Sequence, residues 1–276
     1  MVRWFPARDS HQLASGEYAP EHMNVDEYHR MYELEDSHWW FVGRRRLIAK
    51  AIETYITAPP RCPGATPKLL KILDAGCGTG RNLQMLARYG DAHGLDHSEL
   101  AIQYCRRRGL QQVQQASVQD LPLDDRRFDL VTLLDVLYHQ DVADDAETLR
   151  RVHATLCPGG FVLITEPAFN WLHSTHDQAL GTRRRYTRLM LRTLVESAGF
   201  EIFKLTYANF ALFPIVAGVR LFKKAWPGPA HGSDVRPTPP IVNAALAAIF
   251  GFESKILAHT NFPWGSSLLC VARRID

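Results

Sequence analysis

The sequence is poor in cysteine and in net charge. Its 276 residues include 5 cysteines, which are odd in number and scattered without the spacing of a metal site. This usage argues against a disulfide framework and a structural zinc, and it is typical of a reducing cytoplasm. The formal net charge is only +3, which disfavours a nucleic-acid substrate. We therefore predict a cytoplasmic protein with no metal and no nucleic-acid partner.

Long hydrophobic runs are also missing. Residues 1–20 carry several charges and no continuous apolar segment, so we predict a flexible or loosely docked arm and no signal peptide. The longest apolar segments, 210–222 and 241–252, are shorter than the ~20 residues of a membrane-spanning helix. The shares of 46% hydrophobic and 22% charged residues are those of an ordinary globular protein.

A glycine-rich segment follows the apolar run 69–73. Asp74 ends the run, and Gly76, Gly78 and Gly80 alternate after it, with Cys77 inside the segment. Glycine reaches positive φ at little cost and lets a ligand approach bare backbone. Helical spacing of apolar residues resumes at 82–89. A strand, a glycine loop and a helix start in this order indicate a nucleotide-type cofactor site.

The details of this loop separate two cofactor classes. A dinucleotide fingerprint is Gly-x-Gly-x-x-Gly, but here the third glycine comes one residue early, at Gly80, and Arg81 occupies the fingerprint position. Asp74 suits a cationic amino acid group and would repel a pyrophosphate. The pattern Asp-x-Gly-x-Gly-x-Gly resembles motif I of the class I S-adenosyl-L-methionine-dependent methyltransferases. A nicotinamide-dependent oxidoreductase and a non-catalytic cofactor-binding module stay open as alternatives.

Apolar strands alternate with helical segments beyond the loop, which predicts an α/β fold with a parallel sheet. The resemblance implies a doubly wound, Rossmann-like sheet of seven strands whose last strand is antiparallel. It also places the three glycines under the methionine part of the cofactor, with Asp74 near the ammonium group. Asp96, about 20 residues after Gly76 and followed by His97, has the offset of a ribose-binding carboxylate. Asp120 and Leu121 match the adenine contacts, and Asp135 ends the fourth strand beside the cofactor.

The segment after Asp135 contains the first candidate for catalysis. Its sequence, Val-Leu-Tyr-His, resembles the family's segment of two apolar residues and a histidine. His139 is therefore the first candidate for a general base, with Tyr138 next to the acceptor. The alternative is that His139 only lines the pocket. An acceptor that is an acidic hydroxyl, a carboxylate or an enol would need little help from a general base.

A second cluster of polar residues follows the fifth predicted strand. His173 and His176 precede a basic run that includes Arg184 and ends at Tyr186. Such a cluster could bind an acidic acceptor, with His176 as a second catalytic candidate, or it could be a solvated helix start. His173, His176 and Asp177 have no strong metal motif, so no metal is predicted.

Two further segments are expected to flank the core. The block 35–45 looks like one found before motif I in a subset of bacterial methyltransferases, where it forms a lid, and it makes His38, Trp40 and Arg45 candidates for ligand contact. Residues 208–266 form an insertion with two apolar helices, suited to core packing, an acceptor tunnel, a dimer interface or a lipid surface. The predicted division is 1–67 for arm and lid, 68–207 for the core, 208–266 for the insertion, and 267–276 for the last strand.

These features together predict an S-adenosyl-L-methionine-dependent methyltransferase. We expect methyl transfer to oxygen by direct displacement, on a small or lipid-like acceptor, with release of S-adenosylhomocysteine. Transfer to nitrogen or carbon is an alternative. The expected assembly is a monomer or a homodimer, with peripheral membrane contact through the insertion.

Overall fold

The computed structural model of the chain describes residues 25–57, 69–121, 127–226, 235–257 and 259–276. The predicted arm, Cys62 and most of the linker between the two helices of the insertion lie outside the described residues. Strands run over β1 (Leu70–Ala75), β2 (Gly90–Asp96), β3 (Val113–Gln115), β4 (Phe128–Leu134), β5 (Leu156–Pro167), β6 (Phe200–Ala208) and β7 (Ser267–Arg274). Helices run over α1 (Val25–Leu34), α2 (Trp39–Ala51), α3 (Arg81–Leu86), α4 (Glu99–Arg107), α5 (Asp145–Thr155), α6 (Thr175–Ala179), α7 (Arg188–Ser197), α8 (Phe213–Ala225) and α9 (Pro240–Leu257).

All of these strands join one sheet, in the order β3-β2-β1-β4-β5-β7-β6. The pairs from β3 to β5 are parallel, whereas β7 runs antiparallel to both β5 and β6. The predicted seven-stranded Rossmann-like fold with an antiparallel last strand is confirmed. The strand order reverses between β1 and β4, and the crevice at the carboxyl ends of such strands is where open α/β sheets bind ligands.

The central strands are buried on both faces, as their continuous apolar sequences predict. Six of the seven residues of β4 are buried, all except Asp129, and its apolar side chains join one large core with β1, β5 and β7. The helices that cover the sheet begin at side-chain caps. Ser98 accepts a hydrogen bond from the backbone N–H of Ala101, and Asp144 accepts from Ala146 and Glu147. These caps satisfy backbone donors that the first helical turn leaves without partners.

Three element boundaries depend on more than the local sequence. Residues 157–160 include a proline and two glycines but belong to β5, which begins at Leu156 and changes its register with β4 between Phe128 and Leu130. Strand β3 ends at Gln115, and a 3₁₀ turn follows at Val118–Asp120. The segment before motif I forms two helices, because the chain turns between Leu34 and Trp39.

The predicted lid, formed in the structure by α1 and α2, packs against the predicted insertion, which contains α8 and α9. Helix α9 lies along α2, where the Phe250 ring contacts Gly43. Polar contacts also join them, because Asn243 Oδ1 accepts from the backbone N–H of Trp39 at 2.7 Å. By length and composition alone, α9 is apolar enough to cross a membrane, and 33% of it is buried inside the protein.

Candidate active site

A cavity of about 820 Å³ opens at the carboxyl ends of β1, β2 and β4. The glycine loop, the lid helices, the loop after β4, helix α6, helix α8 and residues 235–239 all contribute to its wall. The predicted site residues on this wall are His38, Trp40, Gly76, Cys77, Gly78, Asp96, His97, Asp135, Tyr138, His139 and His176. The fold therefore gathers most of the predicted site around one space.

The three glycines of the loop have different roles. Gly78 has φ +53, and a Cβ built on it would meet one atom within 4 Å, the terminal methyl of Met31 at 3.1 Å. A Cβ on Gly76 would lie 2.5 Å from Val136, so Gly76 is required by packing inside the protein. Gly80 is not on the cavity wall and sits against Leu110 and Cys105. Gly78 is thus the glycine that leaves room for a ligand.

Asp96 stands at the end of β2 with its carboxylate fixed by backbone donors. Gly78 donates to Oδ2 at 2.9 Å, and Ser98 donates to Oδ1 at 3.0 Å. Each carboxylate oxygen can accept more than one hydrogen bond, so both retain capacity toward the cavity. The arrangement suits a pair of adjacent hydroxyl groups, which a ribose presents.

Asp74 lies beneath the loop and is not on the cavity wall. It is buried, and Thr132 donates a hydrogen bond to its Oδ1 at 2.6 Å. Its Oδ2 has no hydrogen-bond partner among the described residues. Burial raises the pKa of Asp74 to about 7, and the nearby charge of Asp96 adds to this. Near neutral pH the Asp74 carboxyl is therefore only partly ionised, and its contact with the ammonium group stays a prediction.

The pKa of Asp74 makes a testable contribution to stability. The raised value means that the folded chain keeps a proton that the unfolded chain loses near the ordinary pKa of 3.8. The free energy of unfolding should therefore fall as pH rises from about 4 to about 7, by up to about 1.4 kcal/mol per pH unit. Asp74→Asn cannot titrate and should lack this component. Urea unfolding of both proteins across this range would test it, and parallel pH profiles would contradict it.

Arg44, and not the predicted Arg45, reaches the cavity from helix α2. Arg44 is on the wall and pairs with Asp135, which also accepts from Thr165 Oγ1 at 2.9 Å. Burial lowers the pKa of Arg44. Arg45 is not on the wall and reaches the backbone oxygen of Asp36. One residue on a helix changes the direction by about 100°, so the basic run alone could not distinguish the two.

Glu35 connects the predicted lid to the glycine loop by polar contacts. This buried carboxylate accepts a hydrogen bond from Thr79 in the loop and pairs with Arg108 at 2.7 Å. Arg108 also donates to the backbone oxygen of Thr79 at 3.0 Å and pairs with Asp36 at 3.1 Å. Burial raises the pKa of Glu35 despite these partners. The contacts fix α1 and the turn after it over the loop.

His139 belongs to a histidine and aspartate cluster on the wall. The Oδ2 atom of Asp141 lies 3.1 Å from Nδ1 of His139 and 3.1 Å from Nε2 of His97. The loop that carries His139 is held by buried Glu166, which accepts hydrogen bonds from the backbone N–H groups of residues 136–138. Burial raises the pKa of Glu166 to about 8. His139 is therefore oriented by its neighbours, and its role as a base stays a prediction.

The far end of the cavity is basic and partly apolar. Asp177 pairs with Arg185 at 2.7 Å and with Arg220 at 3.3 Å, so two arginines share one carboxylate. His176, Lys223 and the apolar side chains Ile215, Val216 and Val219 complete this end. The sequence pattern did not identify Arg185 or Arg220, because their approach to Asp177 depends on how α6 and α8 meet.

Three other predicted acceptor contacts are not on the cavity wall. Tyr186 is buried and donates a hydrogen bond to Asp145 at 2.6 Å. Arg184 lies 3.4 Å from the same carboxylate, and His173 is near the backbone oxygen of Thr182 at 3.4 Å. These side chains stabilise the loop behind the cavity. Among the residues that the structure describes, no cluster of histidine, cysteine and acidic groups has the arrangement of a metal site.

The predicted adenine contacts also differ from the structure. Asp120 is exposed and Leu121 is buried in the core, and neither is on the cavity wall. The 3₁₀ turn at Val118–Asp120 instead places Ser117 and Val118 there. The sequence pattern did not identify Ser117, because the turn shifts the side chains that follow β3.

Comparison with known families agrees with this geometry. Residues 73–164 match the family model described as a methyltransferase domain. The chain is 35% identical over 102 residues to a ubiquinone biosynthesis O-methyltransferase of Alkalilimnicola ehrlichii, covering 34% of this chain and 40% of the relative. It is 36% identical over 103 residues to a fatty-acid O-methyltransferase of Mycolicibacterium smegmatis, covering 35% and 36%. The chain thus spans about two fifths of the length of these curated relatives.

A solved structure shares the fold over nearly the whole chain. It is an S-adenosylmethionine-dependent methyltransferase of Thermotoga maritima, described as a possible histamine N-methyltransferase, with a TM-score of 0.54 and 18% identity. The superposition covers 90% of this chain and 99% of that one. Motif I and the family match therefore identify a methyltransferase domain at residues 73–164, and the chain has the fold of an S-adenosyl-L-methionine-dependent methyltransferase.

Proposed function

We propose that this protein transfers a methyl group from S-adenosyl-L-methionine to an oxygen of a small acceptor with an acidic head and an apolar body. The observation that carries the proposal is the cavity itself, which extends from the glycine loop and Asp96 to the basic and apolar wall of α8. A cofactor and an acceptor can therefore occupy one continuous space. Methyl transfer by direct displacement needs such adjacency, because the acceptor oxygen must be in line with the transferred group.

The residues present fit this cofactor at three points. Gly78 leaves the loop open to a ligand, Asp96 can accept hydrogen bonds from two ribose hydroxyls, and Arg44 offers a guanidinium to a carboxylate. Ser117 and Val118 line the same wall beyond Asp96. When bound, the cofactor supplies an electrophilic methyl group on a positively charged sulfur.

The acceptor class follows from the other end of the cavity. Arg185 and Arg220 share one carboxylate, so this end retains positive charge that an acidic head group would neutralise. Ile215, Val216 and Val219 offer apolar surface beside it. The names of the two curated relatives, a ubiquinone biosynthesis and a fatty-acid O-methyltransferase, support an oxygen acceptor of this amphipathic kind.

His139 is the proposed general base where the acceptor needs one. Its ring is on the cavity wall and is oriented by Asp141. A carboxylate or a phenolate would already be ionised, and then His139 would serve only to position the acceptor and exclude water. Methylation of nitrogen or carbon stays an alternative. A cytoplasmic location and a monomeric or homodimeric chain are part of the proposal.

Calorimetry and turnover together test the proposal. We expect S-adenosylhomocysteine to bind with a 1:1 stoichiometry and reduced nicotinamide cofactor not to bind. Labelled methyl groups should then pass from S-adenosyl-L-methionine to organic-extractable acids of a bacterial extract. Binding without turnover would favour a cofactor-binding module, and binding of the nicotinamide cofactor alone would favour an oxidoreductase.

The position of Arg44 gives a prediction with a matched control. Arg44→Lys keeps the charge but loses the planar fork that binds a carboxylate through two hydrogen bonds, so we expect affinity for S-adenosylhomocysteine to fall about fivefold, or about 1 kcal/mol. Arg45→Lys changes the neighbouring residue outside the wall and should leave the affinity unchanged. Calorimetry of both variants decides, and a larger loss in Arg45→Lys would restore the assignment made from the sequence.

A further inference from the structure

The insertion exposes two apolar stripes. In α8, Ile215, Val219, Phe222 and Trp226 follow each other at spacings of four, three and four residues, which places them on one helix face. Phe222 is 67% exposed and Trp226 is 76% exposed, and their rings stack. Ala217, on the opposite face, is the buried residue of this helix. We call these four residues the α8 stripe.

Helix α9 repeats the arrangement. One face is buried against the protein, whereas Ile241, Ala245, Ala248, Phe252 and Ile256 form an exposed face at helical spacing. Ile241 is 87% exposed and Phe252 is 61% exposed. We call these five residues the α9 stripe. Large contiguous apolar surfaces on a protein mark an interaction site.

Charge indicates what covers the stripes. Helix α8 contains no acidic residue, and the one acid of α9, Glu253, is buried and accepts a hydrogen bond from the backbone N–H of Phe210 at 2.8 Å. Exposed lysines accompany the stripes at positions 223, 224 and 255. Apolar side chains with a terminal tryptophan and flanking lysines are typical of helices that lie in a membrane interface, and the cations match the negative surface of anionic lipids.

The α8 stripe and the segment that leads into α9 reach the cavity. Ile215 and Val219 of the α8 stripe are also on the cavity wall, and residues 235–239, which lead into α9, line it as well. A surface that rests on lipid through both helices would therefore bring the cavity opening to the bilayer.

We propose that α8 and α9 dock this protein on an anionic lipid bilayer, with both stripes in the interface. The helices lie on the membrane and do not span it, because α9 is tied to the lid by Asn243 and its buried face is part of the core. An amphipathic acceptor then enters the cavity from the bilayer. This last step rests on the proposed function, whereas the docking itself does not.

Vesicle co-sedimentation of the full chain tests the docking. We expect the wild type to sediment with vesicles of phosphatidylcholine and phosphatidylglycerol, more weakly with phosphatidylcholine alone, and less at high salt. Phe222→Ser with Trp226→Ser, and separately Phe252→Ser with Ile256→Ser, should each reduce the partition coefficient at least about tenfold, since each pair removes large apolar area. Leu189→Ser removes an exposed leucine, 71% accessible, from α7 and should have no effect.

Three results would overturn the proposal. The first is equal sedimentation of the wild type and both double variants, with melting temperatures showing that all are folded. The second is a wild-type dimer, seen by light scattering, that the same substitutions dissociate, because the stripes would then cover each other. The third is a wild-type protein that carbonate washing does not release from membranes and detergent does. That result would indicate a helix that spans the membrane. Calorimetry of cofactor binding is carried out without lipid, so failure of the docking leaves the proposed reaction testable.

Discussion

Replacing Gly78 by arginine should abolish binding of S-adenosyl-L-methionine and S-adenosylhomocysteine while the chain still folds. The reason is the position of the missing side chain. A Cβ on Gly78 points into the open cavity, with the flexible terminal methyl of Met31 as its neighbour at 3.1 Å. A side chain the size of arginine would fill the space that a cofactor needs, without displacing the backbone of the core. Calorimetry at high protein concentration should detect no heat of binding.

The matched control is Gly159→Arg. Gly159 also has a positive φ, +72, but an added Cβ there would meet nothing within 4 Å. Both variants carry the strain of a non-glycine residue in the left-handed region, roughly 1–2 kcal/mol, and both add one positive charge. Gly159→Arg should bind the cofactor normally. Retained binding in Gly78→Arg would mean that the cofactor does not lie against the loop.

Replacing Asp96 by alanine should weaken cofactor binding strongly without abolishing it. The carboxylate would no longer accept hydrogen bonds from the ribose, and hydrogen bonds that involve a charged group are worth about 1.5–3 kcal/mol. Dissociation constants should therefore rise by roughly 10- to 150-fold. The change also removes the acceptor for the backbone N–H groups of Gly78 and Ser98, so part of the loss reflects a less ordered loop.

Asp120→Ala provides the comparison for this variant. It removes the same functional group from an exposed position outside the cavity wall, so we expect an unchanged dissociation constant. Calorimetry and thermal unfolding of both variants separate loss of contact from loss of fold. If Asp120→Ala lost as much affinity as Asp96→Ala, the adenine contact assigned from the sequence would be correct, and the 3₁₀ turn would have to rearrange on binding.

Much of the fold and of the cofactor site could be predicted because the evidence is local. Strand β1, the glycines and Asp96 follow one another along a short stretch, and each property depends on neighbours in sequence. Buried strands are recognisable from continuous apolar runs. A serine directly before a helical segment, such as Ser98, is recognisable as an N-cap. The antiparallel β7, in contrast, came from the family resemblance, since no pattern in its own residues states its direction.

The rest depends on contacts between distant parts of the chain. Arg44 faces the cavity because α2 is held against α9 by Phe250, and nothing in the basic run itself selects that face. Arg185 reaches the cavity although its neighbour Arg184 pairs with Asp145 behind it. Ser117 reaches the wall because a short 3₁₀ turn follows β3. In each case a change of one residue in helical or turn phase decides the contact, and that phase is set by tertiary packing.

The close fit between α2 and α9 couples two parts of the molecule that the sequence keeps about 200 residues apart. Trp39 and Trp40 lie against Phe250, with ring centroids 6.4 and 5.5 Å away, and Arg46 donates to the backbone oxygen of Ala247 at 3.3 Å. The helix with one face toward solvent is therefore packed directly against the helix that carries Arg44. If α9 docks on lipid as proposed, this packing would link occupancy of the membrane thermodynamically to affinity for the methyl donor.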